Sequence, residues 1–245
     1  INKSPIDFIS KALIFFEKVL EKEKPDAILI LGDTNTSLTA ICAKRKKIPI
    51  FHIEAGNRCF DQRVPEEINR KIVDHIADIN LTYSTYAENN LLREGLPRDL
   101  IIKVGSPLKE VYEYYDKKIN KSKIINKLKL KNKKYIVASI HREENLISKK
   151  ILDNILKSIN IFSKKNKLRV IFSTHPRTLE KLKKEKNKYK NIEFYNSFGF
   201  LDYVRLLKSS DLVISDSGSI TEETSILQLR SINLRTTHER QEGME

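Results

Sequence analysis

The chain has 245 residues, room for one large or two small domains at roughly 150 residues each, so a core can form without disulfide staples. Its two cysteines, Cys42 and Cys59, rule out a disulfide scaffold, no metal-finger spacing is present, and no apolar run approaches the ~20 residues of a membrane span; a reducing, cytoplasmic setting fits. Forty-six basic and 32 acidic side chains leave a formal charge of +14, much of it in the lysine runs 117–134 and 181–190. Almost no aromatic residues interleave with those lysines. That argues against a nucleic-acid platform and for a solvated face or attraction of an anionic small ligand. Ile1 stands first and no charged-then-apolar leader follows, so no signal peptide is expected and the chain reads as starting partway into its gene product.

In chain order, Phe8, Ile9, Ala12, Phe16, Val19 and Leu20 recur near a 3.6 period and predict a first helix closed by Pro25. A strand over 27–31 breaks at Gly32-Asp33-Thr34-Asn35. Thr36 then caps a helix toward Lys47, and 48–53 is the next strand. Pro65, Glu66 and Glu67 open a helix whose Ile68, Ile72, Val73 and Ile76 share one face; proline and acids both suit a helix N-terminus. A strand over 79–83, a cap at Ser84, a stop at Gly95 and a strand over 101–104 follow. After a polar, lysine-rich stretch around 115–134 the alternation resumes: strand 135–140, helix 146–163, strand 168–173, strand 192–195, helix 200–208, strand 212–215, helix 220–227 and strand 231–234. Such β/α alternation predicts parallel sheets covered on both faces. The charged stretch is the natural junction, which divides the chain into two α/β domains, 1–106 and 107–245.

Ligands of open α/β sheets bind at the carboxyl ends of strands, so the residues following each strand are the informative ones. Gly32-Asp33 and His52-Ile53-Glu54-Ala55-Gly56 occupy those places in the first domain; His141-Arg142, Thr174-His175-Pro176-Arg177 and Asp216-Ser217-Gly218-Ser219 do so in the second. The Ser-Gly-Ser turn before a helix suits a phosphate, with Arg240 and His141 adding charge, although it suits a plain N-cap equally. Asp33, Glu54 and Glu66 can move protons if burial and mutual repulsion separate their pKa values. Asp33 also fits a turn cap, Glu66 a helix-dipole role, and Glu54 a pair with Arg58, so both roles stay open. His52-x-Glu54 lacks the P-C-x-x-C partner of zinc deaminases, and Asp33, His52, Glu54 and His141 form a metal set only without any known spacing. His75, inside a helix, reads as structural. Neither the dinucleotide fingerprint nor a P-loop occurs.

Taken together, LGDTN (31–35), HIEAGNR (52–58), PEEINR (65–70), DHIAD (74–78), HREEN (141–145), HPR (175–177), SDSGSITEE (215–223) and THERQEG (237–243) resemble the non-hydrolysing UDP-N-acetylglucosamine 2-epimerases, in family order over nearly the whole chain. EAGNRCFDQRVPEEINRKI, Gly105-Ser106-Pro107 and HERQEGME look like the branch that makes UDP-N-acetyl-L-fucosamine for surface polysaccharides. The resemblance implies two Rossmann-like domains facing a cleft, as in GT-B glycosyltransferases, with no redox cofactor or metal. It also implies inversion of C2 through a 2-acetamidoglucal with UDP leaving and returning, and a homodimer without membrane or nucleic-acid partners.

By that resemblance the acidic catalytic positions fall on Asp33, Glu54 and Glu66, and the diphosphate-contacting histidine on His141. The UDP-binding positions fall on Arg142, Tyr203, Ser217, Gly218, Ser219, Glu223 and Arg240. Glu223 would take the ribose hydroxyls and Arg240 the diphosphate or sugar. Arg142-Glu143 stands where many members have two arginines, Ser219 replaces a glycine, and the segment before PEE is shorter; these departures fit the L-sugar branch or a different sugar pocket. The family's opening strand and G-T-R-P-E turn would precede Ile1, and its closing helix would follow Glu245, which makes the chain look truncated. A transferase on the same architecture is the remaining alternative, and it would consume a UDP-sugar only when an acceptor is present.

Overall fold

The computed structural model describes residues 4–182, 188–235 and 237–240, except for the side chains of Glu143 and Arg177. Its contacts separate two units: one takes the described residues up to Ser106 together with those from Thr237 on, the other those from Pro107 to Arg235. Residues 237–240 therefore belong with the first unit and not, as the sequence division has it, with the second. An ion pair and a ring contact hold Arg240 there. Part of the second lysine run (183–187) and the end of THERQEG (241–243) lie outside the described residues.

In the first unit Ser4 Oγ accepts from the Asp7 amide at 3.1 Å and starts α1 (Pro5–Glu23). After β1 (Ile28–Leu31) comes a 3-10 turn, Asn35–Thr39, and then the short α2 (Ala40–Arg45), where the sequence suggests one helix capped by Thr36. Hydroxyls explain the tightening: Ser37 Oγ bonds the Thr34 carbonyl at 2.6 Å and Thr39 Oγ1 bonds the Thr36 carbonyl at 2.8 Å, competing with α-helical bonding. β2 (Ile50–Ala55), α3 (Pro65–Ile76), β3 (Ile79–Thr82), α4 (Thr85–Arg93) and β4 (Ile101–Lys103) complete the unit. Ser84 Oγ caps α4 by accepting from the Ala87 amide.

The four strands pair in parallel in the order β1-β2-β3-β4. Every step moves the same way along the sheet, and right-handed crossovers then place their helices on the same side. Leu20 of α1, Ala40 and Ala43 of α2 and Val73 of α3 pack with Ile50 of β2, and Leu91 of α4 packs with Ala55 and Ile101. The opposite face leaves Leu29 and Leu31 each 64% exposed, so this sheet is covered on one face among the described residues, not on both as the alternation predicts.

The second unit holds α5 (Leu108–Lys121), α6 (Ile124–Lys127), β5 (Tyr135–Ser139), α7 (Glu143–Leu146), α8 (Lys149–Asn166), β6 (Arg169–Thr174), α9 (Pro176–Leu182), β7 (Ile192–Asn196), α10 (Phe200–Ser209), β8 (Leu212–Ser215), α11 (Ile220–Ile226) and β9 (Ser231–Asn233). The lysine-rich junction is thus two helices, and they bury Tyr112, Ile119 and Ile124 while their lysines stay wet. Here the parallel order is β7-β6-β5-β8-β9. The chain moves outward from β5 to β7, then crosses back to β8 beside β5, and the reversal puts helices on both faces. Leu152 and Leu156 of α8 cover Ile136, Val170 and Phe172, while Leu206 and Leu207 of α10 cover Val137, Ile171 and Val213. The strand order reverses between β5 and β8, which is where open α/β sheets form their binding crevice.

Candidate active site

In the first unit the chemistry collects where β1 and β2 end. The pairing of β2 with β3 shifts between Ile53 and Ala55, and Glu54, at that irregularity, takes φ of 72°. A left-handed, non-glycine residue costs about 1–3 kcal/mol, and here it falls where the strand pairing is irregular. Glu54 Oε1 accepts from Arg240 Nη2 at 2.7 Å. Glu54 Oε2 lies 3.4 Å from where a Cβ on Gly32 would stand, so the Gly32 backbone and the Glu54 carboxylate are near neighbours. Burial pushes the Glu54 carboxyl up; Arg240 opposes the rise, and the neighbouring negative charge of Asp33 adds to it. The guanidinium of Arg240 also lies over the Tyr83 ring, 5.8 Å from its centre.

Asp33 Oδ2 accepts from Arg70 Nε at 2.8 Å and from Arg70 Nη2 at 2.5 Å. Arg70 donates in addition to Glu67 Oε2 at 2.9 Å, and Glu67 accepts the backbone amides of Cys59 and Phe60. Asn69 Nδ2 holds the Asp33 carbonyl at 2.9 Å. Helix α3 therefore buries a polar face made of Glu67, Asn69, Arg70 and Asp74 beside Val73, while Ile68 is 50% and Ile72 37% exposed. Of the four apolar positions expected to share one face, Val73 and Ile76 pack inward while Ile68 and Ile72 do not. The polar groups are buried because each finds a partner at a strand end, which removes the usual penalty. Glu66, half-buried in the first turn of α3, receives no hydrogen bond or ion pair among the described residues.

Two open readings meet this geometry. Arg58 pairs with Asp74 and Glu94, so it is not the partner of Glu54. His52 bonds Asp74 through Nδ1 at 2.7 Å and faces the Gly32 carbonyl through Nε2 at 3.1 Å. With both ring nitrogens engaged His52 is unsuited to a metal, and among the described residues no three of His, Cys, Asp and Glu stand together as ligands.

In the second unit the loop after β5 and the turn after β8 meet at the reversal point. Fully buried Asp216 accepts the amides of His141 and Arg142 at 2.9–3.0 Å and Asn145 Nδ2 at 3.0 Å, and its Oδ1 lies 3.1 Å from His141 Nδ1. One carboxylate thus fixes both the backbone and the ring of His141. The ring of His175, at the end of β6, lies 5.6 Å from that of His141. Ser217 Oγ and Ser219 Oγ are 2.9 Å apart across buried Gly218, and Ser219 Oγ donates to Glu223 Oε1 at 2.5 Å. Burial pushes the Glu223 carboxyl up, against the Ser219 hydroxyl. The Tyr203 phenol is raised too, first by burial and then by Glu223 and Asp216.

So Asp33, Glu54 and Arg240 come together in the first unit, and His141, Arg142, Tyr203, Ser217, Gly218, Ser219 and Glu223 are grouped in the second. The sequence reading passes over Arg70, Asp74 and Tyr83, and names Asp216 only as the start of the turn after β8. Arg70 and Asp74 lie within PEEINR and DHIAD, but the apolar spacing of α3 does not mark them; a charged residue repeated on one helix face was the available signal.

The family model described as UDP-N-acetylglucosamine 2-epimerase matches residues 2–245. A UDP-N-acetylglucosamine 2-epimerase of Methanococcus maripaludis is 39% identical over 98% of this chain and 68% of its own length. Among solved structures, the UDP-N-acetylglucosamine 2-epimerase from Rickettsia bellii is 47% identical with a TM-score of 0.89, over 99% of this chain and 65% of that one. The UDP-GlcNAc 2-epimerase of Methanocaldococcus jannaschii, in complex with UDP-GlcNAc and UDP, is 36% identical with a TM-score of 0.90, over 98% of this chain and 68% of that one. The chain thus spans about two thirds of the length of these relatives.

Proposed function

The chain belongs to the UDP-N-acetylglucosamine 2-epimerase family, an isomerase family, and from that premise we propose that it inverts C2 of a UDP-N-acetylhexosamine destined for surface polysaccharide. One observation carries the assignment of its chemistry: Glu54, raised by burial, lies within electrostatic reach of Asp33 and hydrogen-bonded to Arg240 at the strand ends. Two neighbouring carboxyls in unlike environments suit proton removal from one side of a carbon and proton delivery to the other.

The steps balance without an external oxidant or reductant. A carboxylate among Asp33, Glu54 and Glu66 takes the C2 proton. The C2–H electrons become the C1–C2 double bond, and the C1–O bond breaks with its pair on the β-phosphate oxygen of UDP. A 2-acetamidoglucal results. The β-phosphate oxygen then adds back to C1 while a carboxylic acid protonates C2 on the opposite face. UDP must be held between the two stages. For that role the reading uses His141 and Arg142 toward the diphosphate, the Ser217-Gly218-Ser219 turn toward phosphate oxygens, and Glu223 toward the ribose hydroxyls, since a carboxylate accepts two hydrogen bonds at once. Tyr203 would line the nucleoside and Arg240 the sugar or diphosphate.

Proton NMR of UDP-N-acetylglucosamine with the protein in D2O tests this. Deuterium at C2 together with a manno anomeric signal is the expected result. Neither signal with UDP still bound would direct the same experiment to UDP-N-acetyl-L-pneumosamine, and failure with both sugars would end the epimerase reading.

A further inference from the structure

Asp74 is fully buried on α3, and its carboxylate reaches out in three directions. Its Oδ1 receives His52 Nδ1 at 2.7 Å; its Oδ2 receives Arg58 Nη1 at 2.7 Å and the Gly56 amide at 3.2 Å. Two of these arms end beside the two acids at the strand ends. The His52 ring spans from Asp74 to the Gly32 carbonyl, and Gly32 is the residue before Asp33. Gly56 is two residues beyond Glu54, and the Arg58 guanidinium also binds the Asn57 carbonyl at 2.7 Å before meeting Glu94.

The backbone around Glu54 needs this support. With φ of 72°, Glu54 relaxes to ordinary strand geometry unless both sides are held. On one side the Gly32 amide bonds the Ile53 carbonyl at 3.1 Å. On the other, Asp74 takes the Gly56 amide and Asn90 Nδ2 takes the Gly56 carbonyl at 3.0 Å. Asp74 thus bonds directly to the Glu54 side and, through His52, to the Asp33 side.

We propose that Asp74 is a positioning residue that sets the separation of Asp33 and Glu54, through His52 to the Gly32 carbonyl and directly to the Gly56 amide. The proposal rests on the reading of Asp33 and Glu54 as proton-moving acids.

Asp74→Leu keeps the branched shape but presents no acceptor to His52, Arg58 or the Gly56 amide, so both ties let go. Since a misplacement of about 1 Å costs on the order of 100-fold in rate, kcat should fall by about 100-fold while KM stays within about threefold. The carboxyl carbon signal of Glu54 in 13C-glutamate-labelled protein, identified by its loss in Glu54→Gln, should move without any substrate present. Should Asp74→Leu fail to fold, His52→Asn keeps a donor toward Asp74 and removes only the reach to Gly32; it should lower kcat with KM held and leave a folded protein. Wild-type C2 exchange with unchanged kcat and an unmoved Glu54 signal in the variants would overturn the positioning role. Absent wild-type exchange with any UDP-N-acetylhexosamine, while the Glu54 signal still moves, would overturn the epimerase reading and support the positioning.

Discussion

Arg240 Nη2 reaches Glu54 Oε1 at 2.7 Å across 186 residues of sequence, and it is the nearest opposing charge to a carboxyl that burial otherwise raises. Replacing it with methionine keeps the aliphatic bulk over Tyr83 and removes the cation. Glu54 then titrates higher still, so its ionised form is reached only at higher pH. In Arg240→Met the acidic limb of the kcat/KM profile for C2 exchange should move up by about 1 pH unit or more. An unmoved limb would mean that Glu54 is not the group seen in that limb.

Glu66 stands apart from this network, half-buried in the first turn of α3, and the proposed reaction counts it among the acids. Glu66→Gln should lower turnover by about 100- to 10,000-fold while UDP affinity, measured by calorimetry, changes little. Unchanged turnover would remove Glu66 from the acid–base set.

Glu223 offers a stability test with a definite sign. Its folded carboxyl is raised by burial, so as pH climbs through the ordinary glutamate range the unfolded chain releases its proton first while the folded chain keeps it. Stability falls across that window, and the loss is complete above the raised folded value. Glutamine never titrates. The Tm of Glu223→Gln relative to wild type should therefore grow more favourable from about pH 4 to about pH 7, while affinity for UDP drops. A Tm difference that is flat with pH would contradict the burial argument.

Gly56 admits no side chain. A Cβ there would lie 2.2 Å from the Ala87 carbonyl oxygen, and φ of 79° is itself unfavourable for any L residue. Gly56→Ala should cost more than the ~1–3 kcal/mol of a strained backbone alone, because the β2 end and α4 must also separate. Urea unfolding measures it. The same variant should lose C2 exchange beyond its loss of folded protein, since the displaced amide belongs to Asp74.

Much of this was legible from residue order. The strands over 28–31, 79–82 and 212–215 lie within the apolar runs that announce them, and the residues following the strands do gather the acids and the hydroxyls. What escaped has identifiable causes. Periodicity counts apolar residues, so on α3 it found Val73 and Ile76, which do pack inward, added the exposed Ile68 and Ile72, and passed over the buried Glu67, Arg70 and Asp74. Alternation shows that strands are parallel but not which way each crossover steps, and that direction decides whether one or both faces of a sheet are covered. Arg240, read beside the other basic residues of the second domain, belongs with the first because a pairing at such separation leaves no local trace.

The left-handed backbone at Glu54 also tells a protein engineer what to avoid. Glycine and asparagine adopt that conformation more readily than glutamate, so the local chain favours losing the carboxyl. Burying a charge that resists burial adds to the same bias. A library selected on heat resistance alone would drift at position 54 toward variants that are sturdier and inert. Any such selection needs turnover as a second filter, because at this residue hardiness and chemistry pull in opposite directions.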